Sequence, residues 1–224
     1  MNLAPFIDHT LLTQTTALAG IEQLCAEAAA HNFYAVCIPP PFVRRAKIIL
    51  SPTSVKIATV IGFPFGYSAT EAKVAETLLA LVDGADELDM VINLVALKMN
   101  DWDYITREVA LLTNMVHNKQ KIIKVIIESG VLTDEEIIRC CTITGTLGID
   151  FMKTSTGYAE KGATIEAVQL MKKHLPPKVQ IKASGGIRSY QFASALVEAG
   201  ASRLGCSASV AIVQGAPGFN RDGY

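Results

Sequence analysis

Two apolar runs of this chain end in the same way: Gly148-Ile149-Asp150-Phe151-Met152-Lys153-Thr154-Ser155-Thr156-Gly157 and Val179-Gln180-Ile181-Lys182-Ala183-Ser184-Gly185-Gly186-Ile187. Each reads as a short buried strand that delivers a lysine, then small hydroxylated residues, then glycine. A buried ammonium is costly unless it is paired, neutralised or used. Two of them on neighbouring strands would aim two amines into one site. Like charges repel, so one lysine is expected to shed its proton near neutral pH and become a nucleophile. For either lysine alone, a strand end paired with a carboxylate remains the competing reading.

Asp89, within Glu87-Leu88-Asp89-Met90-Val91, is flanked by apolar residues and is expected to face inward. There it could hold one amine charged and relay protons for the other. Asp86 and Glu87 are expected at the strand mouth, in solvent. Asp8 could point inward from the first strand, which turns His9 outward as a structural hydrogen-bonder. Lys124 and Glu128 share a parity and would add charge to the interior, or form an ordinary ion pair. Cys37 ends the second strand, where it either lines the site or is an inert buried thiol.

Glycines suggest the other end of the substrate. Ser184-Gly185-Gly186 precedes a helix beginning near Ser189, and Gly205-Cys206-Ser207 precedes one beginning near Ala208. Backbone N–H groups at such turns bind phosphate. Taken together they predict a phosphorylated small substrate, held by Ser184, Gly185, Gly186, Gly205 and Ser207, with Thr154, Cys37 and Asp8 lining the rest. Arg188 could assist, or could equally be solvated.

The elements that would position these groups alternate regularly. Strands are predicted over Phe6–Thr10, Tyr34–Ile38, Lys56–Ile61, Glu87–Asn93, Ile122–Glu128, Phe151–Thr154, Gln180–Ser184 and Arg203–Ser207. Val and Ile dominate most of them, as in parallel strands covered by helices. Between them, Thr16–His31, Thr70–Asp83, Asp101–His117 and Thr133–Thr142 carry helical spacing or cap signals. This alternation predicts an α/β fold, a (β/α)8 TIM barrel forming one domain over residues 1–224. A doubly wound sheet is the alternative, weakened by the lack of GxGxxG after the first strand. In a barrel the site forms at the C-terminal strand ends. Residues 214–224 read as a flexible tail, and Tyr224 either folds over the site as a proton relay or is loose.

Bulk properties exclude several functions. With 224 residues, half of them hydrophobic, and a formal charge of −1, the chain offers neither a nucleic-acid footprint nor a membrane span. The start lacks a basic segment followed by an apolar one, so no signal peptide is expected. Five cysteines without CxxC spacing read as reduced thiols, and four scattered histidines give no metal site. A cytoplasmic protein without metal or cofactor is the expectation.

The chain resembles the deoxyribose-phosphate aldolases, a class I aldolase family. The segments that carry the likeness are Ile7-Asp8-His9-Thr10-Leu11-Leu12, Val36-Cys37-Ile38, Ile61-Gly62-Phe63-Pro64-Phe65-Gly66, Glu87 to Asn93, Lys124-Val125-Ile126-Ile127-Glu128, Phe151 to Gly157, Lys182 to Arg188 and Arg203-Leu204-Gly205-Cys206-Ser207. The resemblance implies a Schiff base on Lys153, with Lys182 and Asp89 as proton donor and acceptor. It further implies reversible cleavage of 2-deoxy-D-ribose 5-phosphate to D-glyceraldehyde 3-phosphate and acetaldehyde, without a metal. A homo-oligomer, with a dimer favoured, is expected because such barrels commonly form homodimers. Two departures, Tyr158-Ala159-Glu160-Lys161 for a glycine-rich stretch and Cys206 for a small hydroxylated residue, are expected at the rim of the site. Another Schiff-base aldolase, a transaldolase-like enzyme and a non-catalytic sugar-phosphate sensor are the competing readings.

Overall fold

The computed structural model describes residues 1–215. Among them, eight parallel strands close into a barrel in sequence order, with the first pairing the last. They are β1 (Ile7–Thr10), β2 (Ala35–Ile38), β3 (Lys56–Ile61), β4 (Glu87–Val91), β5 (Ile122–Ile126), β6 (Phe151–Lys153), β7 (Gln180–Ser184) and β8 (Arg203–Cys206). Helices α1 (Leu18–His31), α2 (Val43–Ile49), α3 (Thr70–Asp83), α4 (Leu94–Lys98), α5 (Trp102–His117), α6 (Asp134–Thr146), α7 (Ile165–His174), α8 (Tyr190–Glu198) and α9 (Ser209–Val213) lie along the chain between and after them. The (β/α)8 barrel expected from the alternation is therefore observed. Gln214 and Gly215 follow α9; the rest of the expected tail, including Tyr224, lies outside the described residues.

Local chemistry fixes the element ends. Gly84 closes α3 at φ 101°, and Asn32 closes α1 at φ 54°, both left-handed conformations that end a helix. Thr133 and Glu136 form a complete capping box on α6. Four strands stop earlier than predicted, β6 and β8 by one residue and β4 and β5 by two. Asn93 caps α4 by accepting from the Ala96 N–H, so β4 ends at Val91. Glu128 takes φ 53° and opens a 3-10 turn, so β5 ends at Ile126. Helices α2, α4 and α7 carry no signal singled out in the sequence; α2 and α4 span only seven and five residues.

Strand parity divides the core into two layers. Outward residues such as Ile57, Leu88, Met90, Val125, Met152 and Leu204 join the helices in one apolar layer. Inward residues form a mixed interior. A small apolar cluster of Leu12, Cys37, Ala58 and Val60 occupies one side, and charged groups occupy much of the rest. The upper end of β4 is held from outside by a second buried pair. Lys73 of α3 donates to the Val91 carbonyl and to Glu108 of α5, both at 2.8 Å, while Glu108 also accepts from the Asn93 N–H. Burial pulls the ammonium down and the carboxyl up in proton affinity, against the attraction between them. Removing one partner leaves the other charge stranded. Glu108→Ala is therefore expected to cost roughly 3–5 kcal/mol in urea unfolding; a loss below about 1 kcal/mol would show that the pair does not hold this strand end.

Candidate active site

Lys153 is the last residue of β6, and Lys182 is its register partner on β7. The two side chains point into the barrel and meet Asp89 of β4. Asp89 Oδ2 accepts from Lys153 Nζ at 2.8 Å and from Lys182 Nζ at 2.7 Å. Asp89 Oδ1 accepts from Lys124 Nζ of β5 at 2.8 Å. One carboxylate thus serves three amines, all of them buried.

The contacts continue into a closed circuit. Lys182 also donates to Asp8 Oδ2. Asp8 Oδ1 accepts from Arg203 Nη1 at 2.9 Å, and the same nitrogen reaches Glu87 Oε2 at 3.0 Å. Glu87 Oε2 in turn accepts from Lys124 at 2.5 Å. The order Asp89, Lys182, Asp8, Arg203, Glu87, Lys124 and back to Asp89 alternates sign at every step. Three carboxylates meet three cations, and Lys153 hangs from Asp89 as a seventh, unmatched member.

Burial works against every charge in this ring, and the partners reverse it. Burial alone would raise Asp8, but Lys182, Arg203 and Lys124 bring its carboxyl down to about 2. Asp89 is likewise held well below the usual carboxylate range by Lys124, Lys153 and Lys182 despite its burial. Burial would strip the proton from Lys182 and Lys124; Asp8 and Asp89 raise the first, and Asp89 and Glu87 raise the second.

Several expectations are met and several are corrected. Asp8 points inward as read, and His9 points outward, bonded to Ser209 Oγ at 2.9 Å and Glu27 Oε2 at 2.8 Å. Lys124 lies inside the barrel, but Glu128 does not. Glu128 sits in the turn beyond β5 and accepts from the Thr156 hydroxyl and N–H, fastening the β6–α7 loop. Glu87 is not solvated: it opens β4 at the N-terminal end of the barrel and is buried. Its shared parity with Asp89 was the available signal. Arg203 was missed altogether; the signal was its parity with Gly205 at the start of β8. Cys206 is not at the rim. It faces outward into the strand–helix layer, where burial pushes its thiol up to about 12.

The residues read as substrate-binding divide by position. Thr154 Oγ1 donates to the Ser184 carbonyl and accepts from the Ser184 N–H, while Ser184 Oγ donates to the Ser155 carbonyl at 2.6 Å. These two hydroxyls clasp β6 to β7. Gly205 lies within β8, where an added Cβ would come 3.2 Å from Lys182 Cε, so its missing side chain makes room for the lysine stem. Gly185, Gly186 and Ser207 lie at the mouth, in the loops after β7 and β8; Gly186, Ser207 and Arg188 are exposed. Cys37 Sγ is 4.0 Å from Asp89 Oδ2, and burial raises its thiol. Tyr158 is at the rim as expected. Its hydroxyl donates to the Leu12 carbonyl at 2.8 Å and its ring meets Phe63 edge-on, so it crosses the mouth beside the apolar wall.

A (β/α)8 barrel with paired lysines and a shared carboxylate at the C-terminal strand ends has the constitution of an amine-dependent lyase. Residues 3–215 match the DeoC/LacD family aldolases, and the chain belongs to that family. It is 50% identical over 218 residues to a deoxyribose-phosphate aldolase of Thermococcus gammatolerans, covering 96% of this chain and 97% of that one. A deoxyribose-phosphate aldolase of Caldanaerobacter subterraneus is 46% identical over 215 residues, covering 96% and 93%. Among solved structures, the deoxyribose phosphate aldolase of Aeropyrum pernix, described as having a unique tetrameric structure, superposes with a TM-score of 0.88 at 31% identity, covering 95% and 89%.

The depressed carboxyls carry a stability consequence. A group with a lowered folded value stabilises the fold above its unfolded value and loses that contribution as pH falls through the folded one. For Asp8 the window runs from 3.8 down to about 2. The urea midpoint is expected to fall across this window, and Asp8→Asn to reduce the slope; an unchanged slope in the variant would contradict the ring's electrostatics.

Proposed function

We propose that this chain is a deoxyribose-phosphate aldolase whose Schiff base forms on Lys153. The observation that carries the assignment is the ring, whose charges are matched without Lys153. Of the three lysines inside the barrel, Lys124 and Lys182 each contact more than one carboxylate, whereas Lys153 has Asp89 alone. Deprotonating Lys153 balances the interior; deprotonating either of the others would strand two carboxylates. Lys153 is the amine that becomes a nucleophile at least electrostatic cost.

The neutral amine adds to the C1 aldehyde of open-chain 2-deoxy-D-ribose 5-phosphate. The carbinolamine loses water, aided by a proton from Lys182, to give an iminium. A base removes the C3 hydroxyl proton, and the C2–C3 bond pair moves toward nitrogen. D-glyceraldehyde 3-phosphate leaves with C3 as its aldehyde carbon. The enamine left on Lys153 is protonated at C2, and hydrolysis of the resulting iminium releases acetaldehyde and the free amine. Asp89 touches both Lys153 and Lys182, so a proton can pass between them without a metal. The phosphate is placed at Gly185, Gly186 and Ser207, with Arg188 beside them, at the end of the barrel where such groups bind.

A sugar-phosphate sensor needs no odd amine, and family membership weighs against that reading. The five cysteines are free and buried, which supports a reducing, cytoplasmic setting. Among the described residues no helix is long and apolar enough to cross a membrane. The chain is read as a homo-oligomer with a dimer favoured, while the Aeropyrum relative is described as a tetramer.

Borohydride reduction in the presence of deoxyribose 5-phosphate, followed by peptide mass mapping, tests the assignment. The reduced adduct is expected on Lys153; an adduct on Lys182, or none, would overturn it. Lys153→Leu is expected to lower acetaldehyde release by about 10³-fold or more, and a variant with near-normal turnover would contradict the mechanism.

A further inference from the structure

Arg203 and Glu87 lie at the N-terminal end of the barrel, the end opposite the mouth, and neither touches Lys153. Arg203 opens β8 and Glu87 opens β4. Their contact is nevertheless half of what closes the charge circuit beneath the amine. The Arg203 guanidinium is enclosed by Asp8 from β1, the Tyr34 ring at 3.5 Å just before β2, Glu87 from β4 and the Phe151 ring at 5.1 Å from β6. Lys182 of β7 is its register partner. Unlike a lysine, an arginine stays charged in this setting. It is therefore the one cation of the interior whose charge is permanent.

We infer that Arg203 and Glu87 are positioning residues for the aldol chemistry, acting through the ring to fix whether Lys153 is charged. This rests on the Schiff-base role proposed for Lys153. With Arg203 in place the ring needs no further cation, and the site favours a neutral Lys153. Without Arg203, three carboxylates would face Lys124 and Lys182 alone, and Lys153 would keep its proton to complete the balance. Without the Glu87 charge the interior becomes more positive, and Lys153 would lose its proton more readily. The groups facing Lys153 itself are Asp89 from β4, Lys182 from β7, Cys37 from β2 and Glu128 from the turn after β5, so the field of the lower pair reaches it through Asp89, Lys124, Lys182 and Asp8.

The two members of one ion pair should thus move the enzyme in opposite directions, which separates this role from a structural one. Loosening the barrel would move both variants alike. Glu87→Gln is well suited to the site. Glu87 Oε1 has no hydrogen-bond partner, so the amide nitrogen can occupy its place while the remaining oxygen still accepts from Lys124 and Arg203.

The test measures kcat/KM for deoxyribose 5-phosphate cleavage against pH in the intact chain, alongside borohydride trapping mapped to the modified lysine. The acid limb of the profile, which reports the free enzyme, is expected to move up by about one pH unit in Arg203→Met and down by about one in Glu87→Gln. Arg203→Lys, which keeps a cation, is expected to leave it near the parent position. Limbs that stay fixed, or that move the same way, would overturn the inference. If Arg203→Met does not fold, Glu87→Gln decides alone: a fixed or raised limb overturns the proposal. Trapping on a residue other than Lys153 in the parent chain would instead overturn the Schiff-base assignment, so the two failures are distinguishable.

Discussion

Asp89 accepts from three ammonium groups at once, and the remaining charges of the barrel interior are arranged so that it can. Lys124 and Lys182 reach past it to Glu87 and Asp8, and Arg203 joins those two carboxylates below. The result is a neutral ring with one extra amine attached. A single buried lysine would have to pair or neutralise at its own site. Here the charges are shared by seven side chains from six strands, and Lys153 is the one cation whose carboxylate already serves two others.

The fold serves this arrangement by parity and register. Alternate residues of β4, β5, β6, β7 and β8 face inward, and pairing sets Lys153 beside Lys182 and Asp89 beside Lys124. A slip of one residue in any of these strands would turn its charge into the apolar helix layer and away from its partners in the ring. Gly205 leaves space for the Lys182 stem, and the Thr154 and Ser184 hydroxyls clasp the two lysine strands together. Buried ion pairs are weak sources of net stability, because desolvation cancels much of their attraction. Their value here lies in geometry and charge state. The apolar layer between strands and helices supplies the stability that tolerates them.

Much of this was legible in the sequence, and the limits have physical reasons. The β/α alternation identified the barrel because eight short strand-like runs, most of them rich in Val and Ile, alternate with helical stretches and have few other uses. The two lysines stood out because a charge at the end of an apolar run is rare. Asp89 followed from its apolar flanks, and Asp8 from its place within the first strand. Glu87 and Arg203 escaped because charge at the first residue of a strand reads as solvent-facing. Only closure of the barrel, with β8 returning to β1, encloses that end and brings Arg203 to Asp8 and Glu87. Glu128 was misplaced because parity continues only while the strand does, and its left-handed backbone breaks the count. Cys206 was set at the rim as a departure from the family pattern, although parity with Leu204 turns it outward.

The formal charges of the ring cancel without Lys153. Neutron diffraction from deuterated crystals near pH 8 counts the hydrogens on each nitrogen directly. If Lys153 is the nucleophile, two are expected on Lys153 Nζ, three each on Lys124 and Lys182, and none on Asp8, Glu87 or Asp89. Three on Lys153, with the missing proton taken from Lys182 or Lys124, would contradict that role.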